Sequence, residues 1–114
     1  MTLDDRTVPL RALRLLAVDF GHLPAPDVDV SRVFPKWLRL SFHGTSGESL
    51  AAFEQWRTAL GIAPDAVGYG TQSDGRTRVL KAEGDFAGAV IMLTAFADVP
   101  VSNPAPAGQA GGVR

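Results

Sequence analysis

Gly88-Ala-Val-Ile-Met-Leu-Thr-Ala-Phe96 is the stretch on which the fold turns. As a strand it sends Val90, Met92 and Phe96 to one face and Ile91 and Leu93 to the other. An antiparallel strand with one wet face alternates apolar and polar residues. This one does not, so it asks for cover on both sides. A chain of 114 residues has little material for two covers. A partner surface over one face is therefore expected, and the pattern leaves open which face that is.

The segments around this strand say what can lie beside it. Ala66–Thr71 and Arg76–Glu83 read as strands, with turns at Ser73-Asp-Gly75 and Gly84-Asp85. Upstream, Trp37-Leu-Arg-Leu-Ser-Phe-His43 alternates cleanly. Leu38, Leu40 and Phe42 should face the core, and Trp37, Arg39, Ser41 and His43 the opposite side. Asp27-Val-Asp-Val30 alternates too and reads as another strand. Two helices complete the pattern. Leu10, Leu13, Leu16, Ala17 and Phe20 recur at helical spacing after Thr7–Pro9, and Gly21 and Pro24 stop the helix. Thr45-Ser-Gly-Glu48 matches a capping box. It opens a helix over 47–60 whose stripe is Leu50, Ala52, Phe53, Trp56 and Leu60, and Gly61-Ile62 fits a Schellman ending.

The order is α-β-β-α-β-β-β. Short connections favour hairpins, so the expected fold is an α+β two-layer sandwich. Both helices lie on one face of a mainly antiparallel sheet of about five strands. One domain spans residues 7–100, after a flexible start (1–6) and before a disordered Pro/Gly/Ala-rich tail (101–114). Both Ala25-Pro-Asp-Val28 and Ala63-Pro-Asp-Ala-Val67 follow a helix and a glycine. An internal duplication or convergent helix-exit chemistry would each produce this echo.

Composition narrows the chemistry. There is no cysteine, which removes disulfides, thiolate metal sites and thiol catalysis together. Net charge is −1, so no global field draws the chain to nucleic acid or membrane. Arginine far outnumbers lysine, which fits GC-rich coding. Arg11, Arg14 and Asp19 interrupt the early apolar stretch, and no secretory leader pattern is visible. A cytoplasmic protein is the expectation.

Ser49-Leu-Ala-Ala-Phe-Glu-Gln-Trp-Arg-Thr-Ala-Leu-Gly-Ile62, with the later Gly75-Arg-Thr-Arg-Val-Leu80, resembles a group of small proteins from GC-rich bacterial genomes, sometimes near mobile elements. The resemblance implies no activity and no site residues.

No catalytic constellation emerges from the residues. His22 follows a helix end, where a polar ring suits the last carbonyls. His43 would need a nucleophile and an orienting acid to act as a base. The glycine-rich run 68–75 lacks the Lys-Ser/Thr pair of a phosphate loop and leads into a strand. The acids sit at turns and strand ends. No cofactor and no metal site is expected, and the protein reads as a non-enzyme.

What remains is surface. Trp37, Arg39 and His43 share one face, and Arg76 and Arg78 share a face of their own strand. If the two faces coincide, an aromatic-plus-arginine surface results, suited to a protein partner or to nucleic acid. The expected function is a small interaction module, self-associating as a homodimer, that binds protein through the helix-free sheet face or edge. The expected contacts are Trp37, Arg39, His43, Arg76, Arg78 and Met92. The alternative is an accessory nucleic-acid-binding or regulatory protein, against which the near-neutral charge weighs. A ligand-binding domain or enzyme ranks third.

Overall fold

The computed structural model describes residues 2–44, 46–72 and 75–98. Its elements are α1 (Thr7–Asp19), β1 (Asp27–Val30), β2 (Trp37–Phe42), α2 (Ser46–Ala59), β3 (Gly68–Gln72), β4 (Thr77–Phe86) and β5 (Ala89–Asp98). The protein is α+β, in the order α-β-β-α-β-β-β. The five strands form one mixed, mostly antiparallel sheet in the order β1-β2-β5-β4-β3. Only β2 and β5 run parallel, Leu38 beside Ile91 and Leu40 beside Leu93. The strand apolar on both faces is thus the central one.

Both helices cover the same face. Ala12 and Leu16 of α1 and Ala52, Phe53 and Trp56 of α2 join one core with Leu38, Leu40, Phe42, Leu80, Ala82, Ile91, Leu93 and Ala95. Within each strand the core residues alternate, even-numbered in β2 and β4 and odd-numbered in β5, as the two-residue period of a strand requires.

Local chemistry sets the boundaries. At the end of α2, Gly61 takes a φ of +71°. Its N–H donates to the Thr58 carbonyl, and the Ile62 N–H donates to the Arg57 carbonyl, both at 3.1 Å. These are the two bonds of a Schellman motif, and Ile62 folds back into the core. Thr45 of the expected capping box lies outside the described residues. So do Ser73 and Asp74 of the β3–β4 turn and the expected tail at 101–114.

Three sequence expectations change. The turn placed at Gly84-Asp85 is absent, and β4 runs on to Phe86. The hairpin closes instead on Ala87 and Gly88, whose φ values of +52° and +82° suit a two-residue loop. Gly84 serves packing: a Cβ there would lie 3.0 Å from two side-chain carbons of Ile62. The stripe of α1 is also rotated. Pro9, Ala12 and Leu16 are buried, while Leu10 and Ala17 are exposed. The expected loose start contains a 3-10 turn at Leu3–Arg6 that runs into α1, and the Thr2 N–H donates to Asp5 Oδ2 at 2.8 Å.

A cluster of aromatic rings closes one end of the core. Phe20 meets Trp56 edge-on at 6.2 Å and Phe86 at 6.1 Å between ring centroids. The Trp56 Nε1–H donates to the Pro24 carbonyl at 2.8 Å. That bond ties α2 to the segment between α1 and β1.

Candidate interaction surface

The face of the sheet away from the helices is built from the other parity of each strand. Its rows follow from the ladder registers. Trp37, Val90 and Asp85 lie side by side across β2, β5 and β4. The next row is Asp29, Arg39, Met92 and Glu83. Asp27, Ser41, Thr94, Lys81 and Gly68 follow, and beyond them lie Phe96, Val79 and Gly70. Both helices pack on the opposite face, and on this one the loop residue Phe34 lies over Trp37.

Its centre is apolar. Val90, Met92 and Phe96 are half-buried, and Thr94 and Val79 are buried among their neighbours. Val90, Met92 and Phe96 therefore form the outward row of β5. The aromatic groups around them are stacked. Trp37 lies on Phe34 with centroids 4.0 Å apart, held by the Phe34–Trp37 turn, whose Trp37 N–H donates to the Phe34 carbonyl at 3.1 Å. Ser31 Oγ fixes that turn by accepting from the Val33 and Phe34 N–H groups. His43 stacks on Phe96 at 4.6 Å. Asp29, Trp37, Arg39, His43, Lys81 and Met92 are among the residues lining a broad depression of about 580 Å³ on this face.

Charges flank this stripe: Arg39 on β2 and Lys81, Glu83 and Asp85 on β4 lie directly beside β5, and Asp27 and Asp29 lie on the β1 edge. Asp29 Oδ2 accepts from Arg39 Nη1 at 3.4 Å, an exposed contact. His43 Nε2 lies 3.9 Å from Asp27 Oδ2, beyond hydrogen-bond range. Asp27, Asp29, Glu83 and Asp85 outnumber Arg39 and Lys81, so the surface is slightly acidic.

Trp37, Arg39, His43 and Met92, singled out from the sequence, come together here. Arg76 and Arg78 do not join them. Arg78 pairs with Ala97 and with Thr71, on the helix side of the sheet, and Arg76 is exposed just before β4 begins. The condition for a single aromatic-plus-arginine surface is not met. Lys81, Glu83, Asp85 and Phe34 belong to the surface and were missed. The signal for Lys81 and Glu83 was present: Leu80 and Ala82 are the apolar partners in β4, so both had to face away from the core with Trp37.

Ser41, His43 and Asp27 share the face, but His43 is stacked on Phe96 and not hydrogen-bonded to the acid. Among the described residues no group of three or more His, Asp or Glu side chains is placed to hold a metal. No helix among them is long and apolar enough to cross a membrane. Comparison with protein-family models, with curated proteins and with solved structures gave no match.

Proposed function

We propose that this protein is a non-catalytic interaction module whose helix-free sheet face is its binding surface, and that the face supports self-association. One observation carries the reading. The middle of the sheet presents half-buried Val90, Met92 and Phe96 beside Trp37, an apolar stripe flanked by charges on β2 and β4. An apolar centre with polar groups at its sides follows the anatomy of a protein interface. A solvated sheet face would alternate to polar residues at those positions. The β1 edge is less suited. β1 is four residues long and carries Asp27 and Asp29, charges that discourage strand addition.

The nucleic-acid alternative draws less support. Phosphate binding needs clustered cations, and here acids outnumber the bases on the face while Arg78 lies on its far side.

The absence of cysteine makes a direct test simple. Met92→Cys should cross-link to a dimer with a short bis-maleimide, because facing sheets pack about 10 Å apart. Arg11→Cys, on the exposed side of α1, should not. Cross-linking at Arg11→Cys alone would refute the assignment of the face.

A further inference from the structure

The face carries its charges in an order that selects a partner, and from that order we infer that its occupant is a second copy of this chain, packed face to face about a two-fold axis along β5, with Arg39 of each copy against Glu83 of the other. The inference rests on the proposed reading of the face as an interaction surface and deepens it.

β5 is the middle strand, flanked by β2 and β1 on one side and β4 and β3 on the other. A two-fold axis along β5 lays β2 of one copy over β4 of the other and keeps each row in its own level. Met92 then meets Met92, and Thr94 meets Thr94. In the Met92 row, Arg39 on β2 meets the other copy's Glu83 on β4. Symmetry makes this contact twice. In the row below, Ser41 meets Lys81, and Asp27 meets the bare backbone at Gly68. No acid faces an acid across these rows. Asp98, which would meet its own copy, lies six residues from Met92 at the exposed end of β5, about 20 Å away at 3.3–3.4 Å per residue.

Other axes fare worse. An axis along β2 sets Arg39 on Arg39, and one along β4 sets Glu83 on Glu83. An axis across the strands through Met92 does both. Moved to lie between the Met92 and Thr94 rows, that axis pairs Glu83 with Lys81 but sets Asp27 on Asp29. All of these axes keep the strands of the two sheets aligned, as face-to-face sheets favour, so the charges decide among them.

The area fits a reversible dimer. Five strands at about 4.8 Å spacing and about six residues of length give roughly 500 Å² of projected face per copy. Two such faces bury on the order of 1,000 Å², the lower bound for a specific interface.

Charge reversal tests the register. Arg39→Glu and Glu83→Arg should each weaken dimerisation by about tenfold or more, since each creates two like-charge contacts. The double variant Arg39→Glu/Glu83→Arg should restore it. An equimolar mixture of the two single variants should form the mixed dimer in preference to either homodimer, because both contacts are then complementary. Circular dichroism of each variant checks that these exposed substitutions leave the fold intact. If Met92→Cys cross-links but both reversals are neutral, the register is wrong and the interaction face survives. If Glu83→Arg weakens the dimer and is rescued by Lys81→Glu instead of Arg39→Glu, the axis runs across the strands and this inference falls. A wild-type chain that stays monomeric at high concentration overturns the self-association reading itself.

Discussion

Trp56→Ala should be among the most damaging single truncations in this fold, and its cost can be worked from the contacts. The ring is 5% exposed. Burying about 200 Å² of aromatic surface at about 25 cal/mol/Å² contributes about 5 kcal/mol, an upper figure because the unfolded chain already shields part of it. The edge-on contact with Phe20 adds about 1 kcal/mol, and the bond from Nε1 to the Pro24 carbonyl about 1 kcal/mol more. Residual burial in the unfolded chain and partial relaxation around alanine bring the expected loss below that upper figure, to about 3–5 kcal/mol, the range for large aromatic truncations in cores. At about 4–8 °C per kcal/mol, Tm should fall by at least about 12 °C. Trp56→Phe keeps a ring but removes the donor and should cost about 1–2 kcal/mol. Trp37→Ala should cost about 1 kcal/mol or less, because Trp37 is half-buried and stacks on a Phe34 ring that is 46% exposed. Urea denaturation followed by far-ultraviolet circular dichroism measures all three. A shared Met92→Glu background keeps dimer dissociation out of the comparison. Equal losses at Trp37 and Trp56, or a loss below about 1 kcal/mol at Trp56, would refute the assignment of the two faces.

Two further outcomes are expected. Ala87 holds a φ of +52° in the β4–β5 hairpin, so Ala87→Gly should raise stability by about 0.5–1 kcal/mol in thermal or urea unfolding, the left-handed penalty outweighing the added freedom of the unfolded chain. Glu54 accepts two hydrogen bonds from Arg57, at 2.7 and 2.9 Å, and the guanidinium holds its carboxyl below the ordinary value of 4.5. Its stabilising contribution is therefore present above that pH and lost as pH falls through the folded value. Because Glu54 is 57% exposed, the effect is small. An NMR titration should place its midpoint below that of a free glutamate, and Glu54→Gln should flatten the acid limb of the stability profile.

Much of the fold was legible where local chemistry is strong. The Gly61-Ile62 ending of α2 is written in two residues, and the alternation of Leu38, Leu40 and Phe42 placed Trp37, Arg39 and His43 on the open face. The double apolarity of β5 belongs to the strand at the centre of the sheet. The parallel pairing of β2 with β5 was not legible, because strand order depends on contacts distant in sequence. The turn at Gly84-Asp85 was misread because a glycine kept small for Ile62 looks the same in sequence as a glycine kept for a turn. Arg76 and Arg78 were grouped with Trp37 only conditionally. The parity of Leu80 and Ala82 would have resolved the condition, since an arginine two residues before a core leucine shares its face. On α1, Leu10 fits the helical period as well as Pro9 and Ala12 do. Only the packing against β2 and β5 decides which side of that helix is buried.

The central claim is that the exposed row of β5 is an interface. Sedimentation equilibrium of the wild-type chain and of Met92→Glu, at tens to hundreds of micromolar, tests it most directly. The wild type should approach twice the chain mass of 12.1 kDa, and Met92→Glu should remain folded at the single-chain mass. A wild type that stays at the single-chain mass throughout that range, or a Met92→Glu variant that dimerises as well as the wild type, would contradict the account.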